Sequence, residues 1–237
     1  MTSSNIVNWR DLNAPKTVDP ENYAYQKQAT YALLFTDRFF QGEFLSEDNG
    51  HAERSLLAST AWQKMADRLV SDSQNKRPPS YRNILIAINR TPCHGIKGGC
   101  TGLLVGALRD IRTRLGVERF SLTEFTLAAT GIYEKGGDLL GRYGKGGKTV
   151  ESDPEKPLVE RYQGGCTTSF DCYALLNVGW KLKALQVGGS LSSRGGILQN
   201  FIRIAESRIA EPNPGFKDMV DRYTFCGQSP AIPRPPR

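Results

Sequence analysis

Two short motifs carry the side chains of this chain best suited to chemistry. The first is His51-Ala52-Glu53; the second is Pro92-Cys93-His94-Gly95-Ile96-Lys97-Gly98-Gly99-Cys100. An imidazole and two thiolates are zinc donors, and three protein ligands leave the fourth tetrahedral position of a catalytic site open to water. His51, Cys93 and Cys100 are the candidate ligands. Glu53 lies two residues from His51 and is the candidate for moving protons without binding the metal. Each piece alone is weak. Most His-x-Glu tripeptides are solvated helix starts, and two cysteines at this separation are more often buried thiols than a metal pair. Their context adds weight, because both motifs stand where a helix is predicted to begin and an apolar run delivers the second.

The order His-x-Glu, then Pro-Cys and a second cysteine, is the signature of zinc-dependent nucleobase deaminases. Over residues 23–180 the chain resembles the cytidine deaminase superfamily, in the style of its bacterial toxin-type and nucleic-acid-editing cytosine deaminases. It departs from the usual pattern in one place. Six residues separate Cys93 from Cys100, where two to four are commoner between paired cysteine ligands. The resemblance implies an α/β, three-layer fold with a central mixed sheet flanked by helices, a bound Zn2+, and hydrolytic deamination of cytosine to uracil with Glu53 as the proton carrier. It also implies that the two helix starts place partial positive charge near the metal and favour thiolates. Asn49, Thr91, Pro92, Arg142, Tyr143 and Lys145 are the candidate substrate contacts.

Charge bears on the substrate. The chain has 237 residues and a formal net charge of +7, with an isoelectric point near 9.2. Such a balance favours polyanionic partners, nucleic acid first. The segment Lys135–Lys148 is rich in glycine and lysine with Arg142 and one aromatic, Tyr143. It could follow a phosphate backbone while the ring stacks on a base; a surface loop without a ligand is an equal alternative. The favoured substrate is cytosine in single-stranded DNA, with duplex DNA and RNA left open. The alternative is free cytidine, deoxycytidine or their nucleotides. A second alternative, from another class, is a non-catalytic zinc-containing module that binds nucleic acid; a purely structural site has no use for Glu53. An immunity protein is the further partner expected of a toxin.

Five cysteines in a chain of this length do not read as a disulfide framework. Two assigned to zinc leave Cys166, Cys172 and Cys226 as reduced thiols. The polar start, Met1 to Asp19, lacks the apolar centre of a secretory leader, and no stretch approaches the roughly 20 apolar residues of a membrane helix. A cytoplasmic protein is expected, without membrane partners.

The elements that must position the motifs follow from patterning. Residues 1–22 read as an irregular N-terminal arm, 23–187 as the catalytic domain, and 188–237 as a C-terminal helical extension ending in a proline-rich tail. Residues 29–35 and 39–45 form a predicted hairpin about Thr36-Asp37-Arg38. Leu57, Ala61, Met65 and Leu69 recur at helical spacing, predicting a helix over 54–70, with Trp62 packed in the core. The apolar run Ile84 to Ile88 predicts a central strand buried on both faces, and its carboxyl end leads into Cys93. Ligand sites of open α/β sheets gather at such ends. A helix is predicted from Cys100 to Leu115, then a strand over 125–130. Beyond Tyr133 the expectations are an edge strand over 157–162, a helix over 170–187, a loop over 188–196 and a helix over 197–210. Whether the chain after Tyr133 returns as a hairpin or crosses through a helix is left open by the sequence.

Overall fold

Runs of β-branched, aromatic and other apolar residues build a six-stranded mixed sheet in the computed structural model, which describes residues 5–18, 30–46, 51–93, 99–133 and 169–210. The strands are β1 Ile6–Asn8, β2 Tyr31–Thr36, β3 Phe39–Leu45, β4 Asn83–Ile88, β5 Glu124–Ala129 and β6 Trp180–Gln186. Helices α1 Ala52–Ala58, α2 Thr60–Gln74, α3 Cys100–Leu115, α4 Val117–Phe120, α5 Ser169–Val178 and α6 Ser193–Ala210 flank them. The sheet order is β1-β6-β5-β4-β2-β3. β2 is antiparallel to both β3 and β4, whereas β4, β5, β6 and β1 run parallel. This is the expected α/β fold with a mixed central sheet flanked by helices.

Strand periodicity sorts the side chains into two cores. Ala32, Leu34, Ile84, Ile86, Ile88, Phe125, Leu127 and Leu182 face a helical layer that includes Leu56, Met65, Leu104, Leu108, Leu175 and Phe201. The alternate positions Leu33, Phe35, Leu85, Ala87, Ala128 and Leu185 form a smaller core against Val7, Trp9, Leu12, Ala14 and Val18. The third layer on that face is therefore supplied by residues 5–18 and their 3-10 helix, Trp9–Asp11. This segment begins as β1 on one sheet edge and reaches the opposite edge strand at the single bridge from Asn13 to Phe39. An irregular arm was expected here. Its apolar residues, too sparse to read as a strand pattern, become a strap because the sheet beneath them is apolar on both faces.

The hairpin turn is where the sequence places it. Asp37 and Arg38 both adopt positive φ, at 47° and 72°, as a two-residue turn matched to strand twist requires. Asp37 Oδ1 accepts from the backbone N–H groups of Arg82 and Asn83, at 2.9 and 2.8 Å. That ties the turn to the start of β4.

Three local expectations change. The predicted helix over 54–70 is two helices, since Ser59 is extended and its hydroxyl caps α2 by accepting from Trp62 N. Trp62 is buried beside Trp180, ring centroids 6.5 Å apart, so it packs in the core as expected. The predicted helix over 170–187 ends at Val178. Gly179 turns the chain at φ 114°, where a Cβ would meet the Phe120 ring at 2.9 Å. Trp180, Leu182 and Ala184 then point to one face, with Lys181 and Lys183 on the other, the period of a strand. Lys181 pairs with Glu124 on the neighbouring β5. β6 lies parallel to β5, so the chain after Tyr133 crosses over and does not return as a hairpin. Finally, α6 begins at Ser193, inside the predicted loop. Ser192 Oγ accepts from Gly195 N at 3.0 Å and caps it, while Leu198, Phe201, Ile202 and Ala205 join the main core. The expected edge strand over 157–162, the basic segment 135–148 and the tail lie outside the described residues. Among the described residues no helix is long and apolar enough to cross a membrane.

The connection from α2 to β4 makes one stability prediction. The Asp72 carboxylate is 4% exposed and accepts from Ser80 N at 2.7 Å, with Arg68 3.7 Å away. The Ser80 hydrogen bonds hold its carboxyl below the usual range. A depressed folded pKa stabilises above the unfolded value, near 3.9, and that contribution is lost as pH falls through the lower folded value. Asp72→Asn should cost about 1–2 kcal/mol at pH 7. Urea unfolding should show the gap to wild type narrowing below pH 4, and a gap independent of pH would contradict this account.

Candidate metal centre

The carboxyl ends of β4 and β5 and the starts of α1 and α3 converge on His51, Glu53, Cys93 and Cys100. His51 is the extended residue immediately before α1, at φ −83° and ψ 151°. Its carbonyl accepts from Arg54 N and Ser55 N, which leaves the exposed ring free to turn toward Cys93. Glu53, in the first turn of α1, points inward and is 2% exposed. Cys93 follows the exit of β4 and is half-buried; Cys100 is the first residue of α3 and is buried.

The long spacing between the two cysteines closes on itself. Cys93 O accepts from Thr101 N at 3.1 Å and from Thr101 Oγ1 at 2.9 Å. Cys100 N donates to Cys93 Sγ at 3.3 Å. Residues 94–98, with His94 among them, lie outside the described residues. The ligand atoms of His51, Cys93 and Cys100 all fall within 4.8 Å of one another, and Cys93 Sγ is 3.5 Å from His51 Nδ1. A zinc tetrahedron with its usual bond lengths has a sulfur–nitrogen edge of about 3.5 Å. The donor set and its spacing thus fit a metal ion, and are compatible with zinc.

The electrostatics of the protein alone point the same way. A hydrogen bond from Cys100 and another with His51 hold the Cys93 thiol down to about 5. Cys100, sharing its proton with that thiolate and buried, is pushed up. The hydrogen bond to Cys93 raises His51. One sulfur therefore holds the negative charge while its neighbour donates to it, a pair that a cation relieves. Burial pushes the Glu53 carboxyl up to about 7, and its Oε2 is buried with no hydrogen-bond partner among the described residues. Buried polar atoms are almost always partnered. This one faces a cluster of metal donors, which is where a water held for reaction would need an acceptor.

Of the candidate substrate contacts, Thr91 and Pro92 sit on the buried exit of β4, directly before Cys93. Asn49, Arg142, Tyr143 and Lys145 lie outside the described residues. Cys172 is buried in the helical core, away from the ligand cluster; Cys166 and Cys226 lie outside the described residues. The structure adds Tyr133, which sequence reading did not single out. Its ring lies 6.5 Å from that of His51, tilted by 43°, and walls one side of the site. Only its place just past the predicted strand over 125–130 could have signalled it, since strand exits next to a ligand-bearing strand line the same crevice.

Comparison with protein-family models, with curated proteins and with solved structures finds no match to this chain.

Proposed function

We propose that this protein is a zinc-dependent hydrolytic deaminase that converts cytosine to uracil in nucleic acid, single-stranded DNA foremost. The observation that carries the reading is the buried Glu53 carboxylate, its Oε2 without a hydrogen-bond partner among the described residues, beside the His51, Cys93 and Cys100 ligand cluster. A structural metal site closes with four protein ligands and gains nothing from a carboxylate buried next to it.

His51, Cys93 and Cys100 hold the ion, which when bound supplies a Lewis acid that lowers the pKa of water toward neutrality. Glu53 performs the proton transfers. It takes a proton from water as oxygen adds to the ring carbon bearing the exocyclic amine. It passes that proton to the ring nitrogen, then takes the second proton from the newly added hydroxyl and delivers it to the departing nitrogen as the carbon–nitrogen bond breaks. The balance is one water consumed and one ammonia released. A carboxyl titrating near 7 suits both directions of transfer at neutral pH. Tyr133 and the exit of β4 provide the walls between which a flat base can lie.

The net charge of +7 favours a polynucleotide over a free nucleoside. Binding through phosphates releases counterions, so activity on a polynucleotide should fall steeply with salt. A free nucleoside should show little such dependence. The base must also leave its stack to reach the site, so single strands should react most readily. The test offers single-stranded DNA, duplex DNA, RNA, cytidine, deoxycytidine and their monophosphates at two salt concentrations, with products sequenced or chromatographed. Conversion in single-stranded DNA, suppressed by salt, is the expected outcome. Conversion of the free compounds with none in any polynucleotide would reject the nucleic-acid substrate. Conversion of adenine would reject only the base.

A further inference from the structure

Three segments meet at the rim of the metal centre: the exit of β4, the exit of β5 and the approach to α6. Hydrogen bonds stitch them together. Thr91 N donates to Gly131 O at 2.8 Å. Tyr133 N donates to Thr91 Oγ1 at 2.7 Å. Thr130 Oγ1 donates to Asn89 O, and Ser192 Oγ donates to Thr130 O at 2.8 Å. A Cβ at Gly131 would lie 2.7 Å from Arg194 Cβ, so the β5 exit is pressed against the start of α6 on its other side.

From this arrangement we infer that Thr91 is a positioning residue, one that holds Tyr133 against His51 without itself touching substrate. The inference rests on the proposed reaction for its effect on substrate. Thr91 is 5% exposed, and its side-chain oxygen receives the N–H of the residue whose ring lies beside the metal-ligating imidazole. Its own N–H secures the residue two positions earlier on the same exit. Both bonds come from a residue two before Cys93, so the backbone and side chain of Thr91 together register the ligand-bearing loop to the aromatic wall. Losing the hydroxyl removes the Thr91 acceptor from the Tyr133 N–H and loosens the β5 exit. The ring then no longer stands at a fixed distance from His51. The ligand atoms keep their own bonds, since Cys93 is held independently by Thr101.

The test uses full-length, zinc-loaded Thr91→Val, which keeps the shape and removes the acceptor, and Thr91→Ser, which keeps the acceptor. Thr91→Val should raise KM about tenfold, the scale of one lost buried hydrogen bond, with kcat and zinc content close to wild type. Thr91→Ser should restore KM. In a Tyr133→Leu background Thr91→Val should add nothing further, because its effect runs through the ring. Full additivity of the two substitutions, or a Thr91→Val KM equal to wild type, would overturn the inference. Amide exchange at Tyr133 gives a readout that needs no activity. It should quicken in Thr91→Val and remain slow in Thr91→Ser, and equal protection in both would again overturn it. A wild-type protein inactive on every substrate would reject the deaminase reading, while the exchange result would still decide whether the clamp exists.

Discussion

Glu53→Ala is expected to lower deaminase activity by a factor of about 10²–10⁴, the range for loss of a positioned proton-transfer group, while zinc content and fold persist. The expectation comes from the division of labour at the site. His51, Cys93 and Cys100 present the ligand atoms, all within 4.8 Å of one another, and Glu53 is not needed to complete that set. Its carboxylate instead lies 2% exposed with Oε2 unpartnered among the described residues, an arrangement that costs stability and is retained where function needs it. A companion variant separates the two roles. Glu53→Gln keeps the volume and removes the buried charge, so metal-free Glu53→Gln should unfold at or above the wild-type temperature while remaining inactive. Activity surviving in Glu53→Ala on the wild-type substrate would remove Glu53 from the mechanism. A large fall in melting temperature for Glu53→Gln would instead make the carboxylate a structural group.

The second large effect concerns the metal. The purified protein should carry about one zinc per chain, and Cys93→Ala and Cys100→Ala should each lose most of it. Cys172→Ala should keep it, because that thiol belongs to the helical core. The ligands come from three separate places: the residue before α1, the exit of β4 and the first residue of α3. Zinc bound there would join elements that the chain must bring together, and its binding free energy would add to folding. Chelation should lower the melting temperature of the wild type and leave the two cysteine variants nearly unchanged. In the metal-free protein Cys100 keeps its proton, so zinc uptake must displace protons and the affinity should rise with pH. Elemental analysis together with zinc titration at two pH values checks both statements. Full occupancy in both cysteine variants would refute the ligand assignment.

The amino-acid sequence by itself determined the central elements and the candidate ligand cluster. The apolar run from Ile84 to Ile88 can only be satisfied by burial on both faces, so it had to be a central strand. The stripe along α3 had to face that strand. Once both were placed, Cys93 at the strand exit and Cys100 at the helix start were bound to lie near each other. The hairpin about Asp37 and Arg38 was legible for a similar reason, since its turn and its alternating flanks are local properties.

Tertiary structure decided what depended on contacts distant in sequence. The residues before Val18 have too few apolar side chains to announce an element. They form a strand and a strap only because the sheet presents an uncovered apolar face. Trp180 to Gln186 follows an apolar helix without a polar break, and its strand period emerges only once Gly179 turns the chain beside Phe120. The parallel placement of β6 settles the crossover after Tyr133, which no local pattern encodes. The same holds within the site. Sequence spacing could nominate Glu53, but only packing could bury its carboxylate and leave Oε2 without a partner among the described residues. Tyr133 and Thr91 are 42 residues apart and became neighbours because β4 and β5 pair in parallel register, which brings their exits side by side.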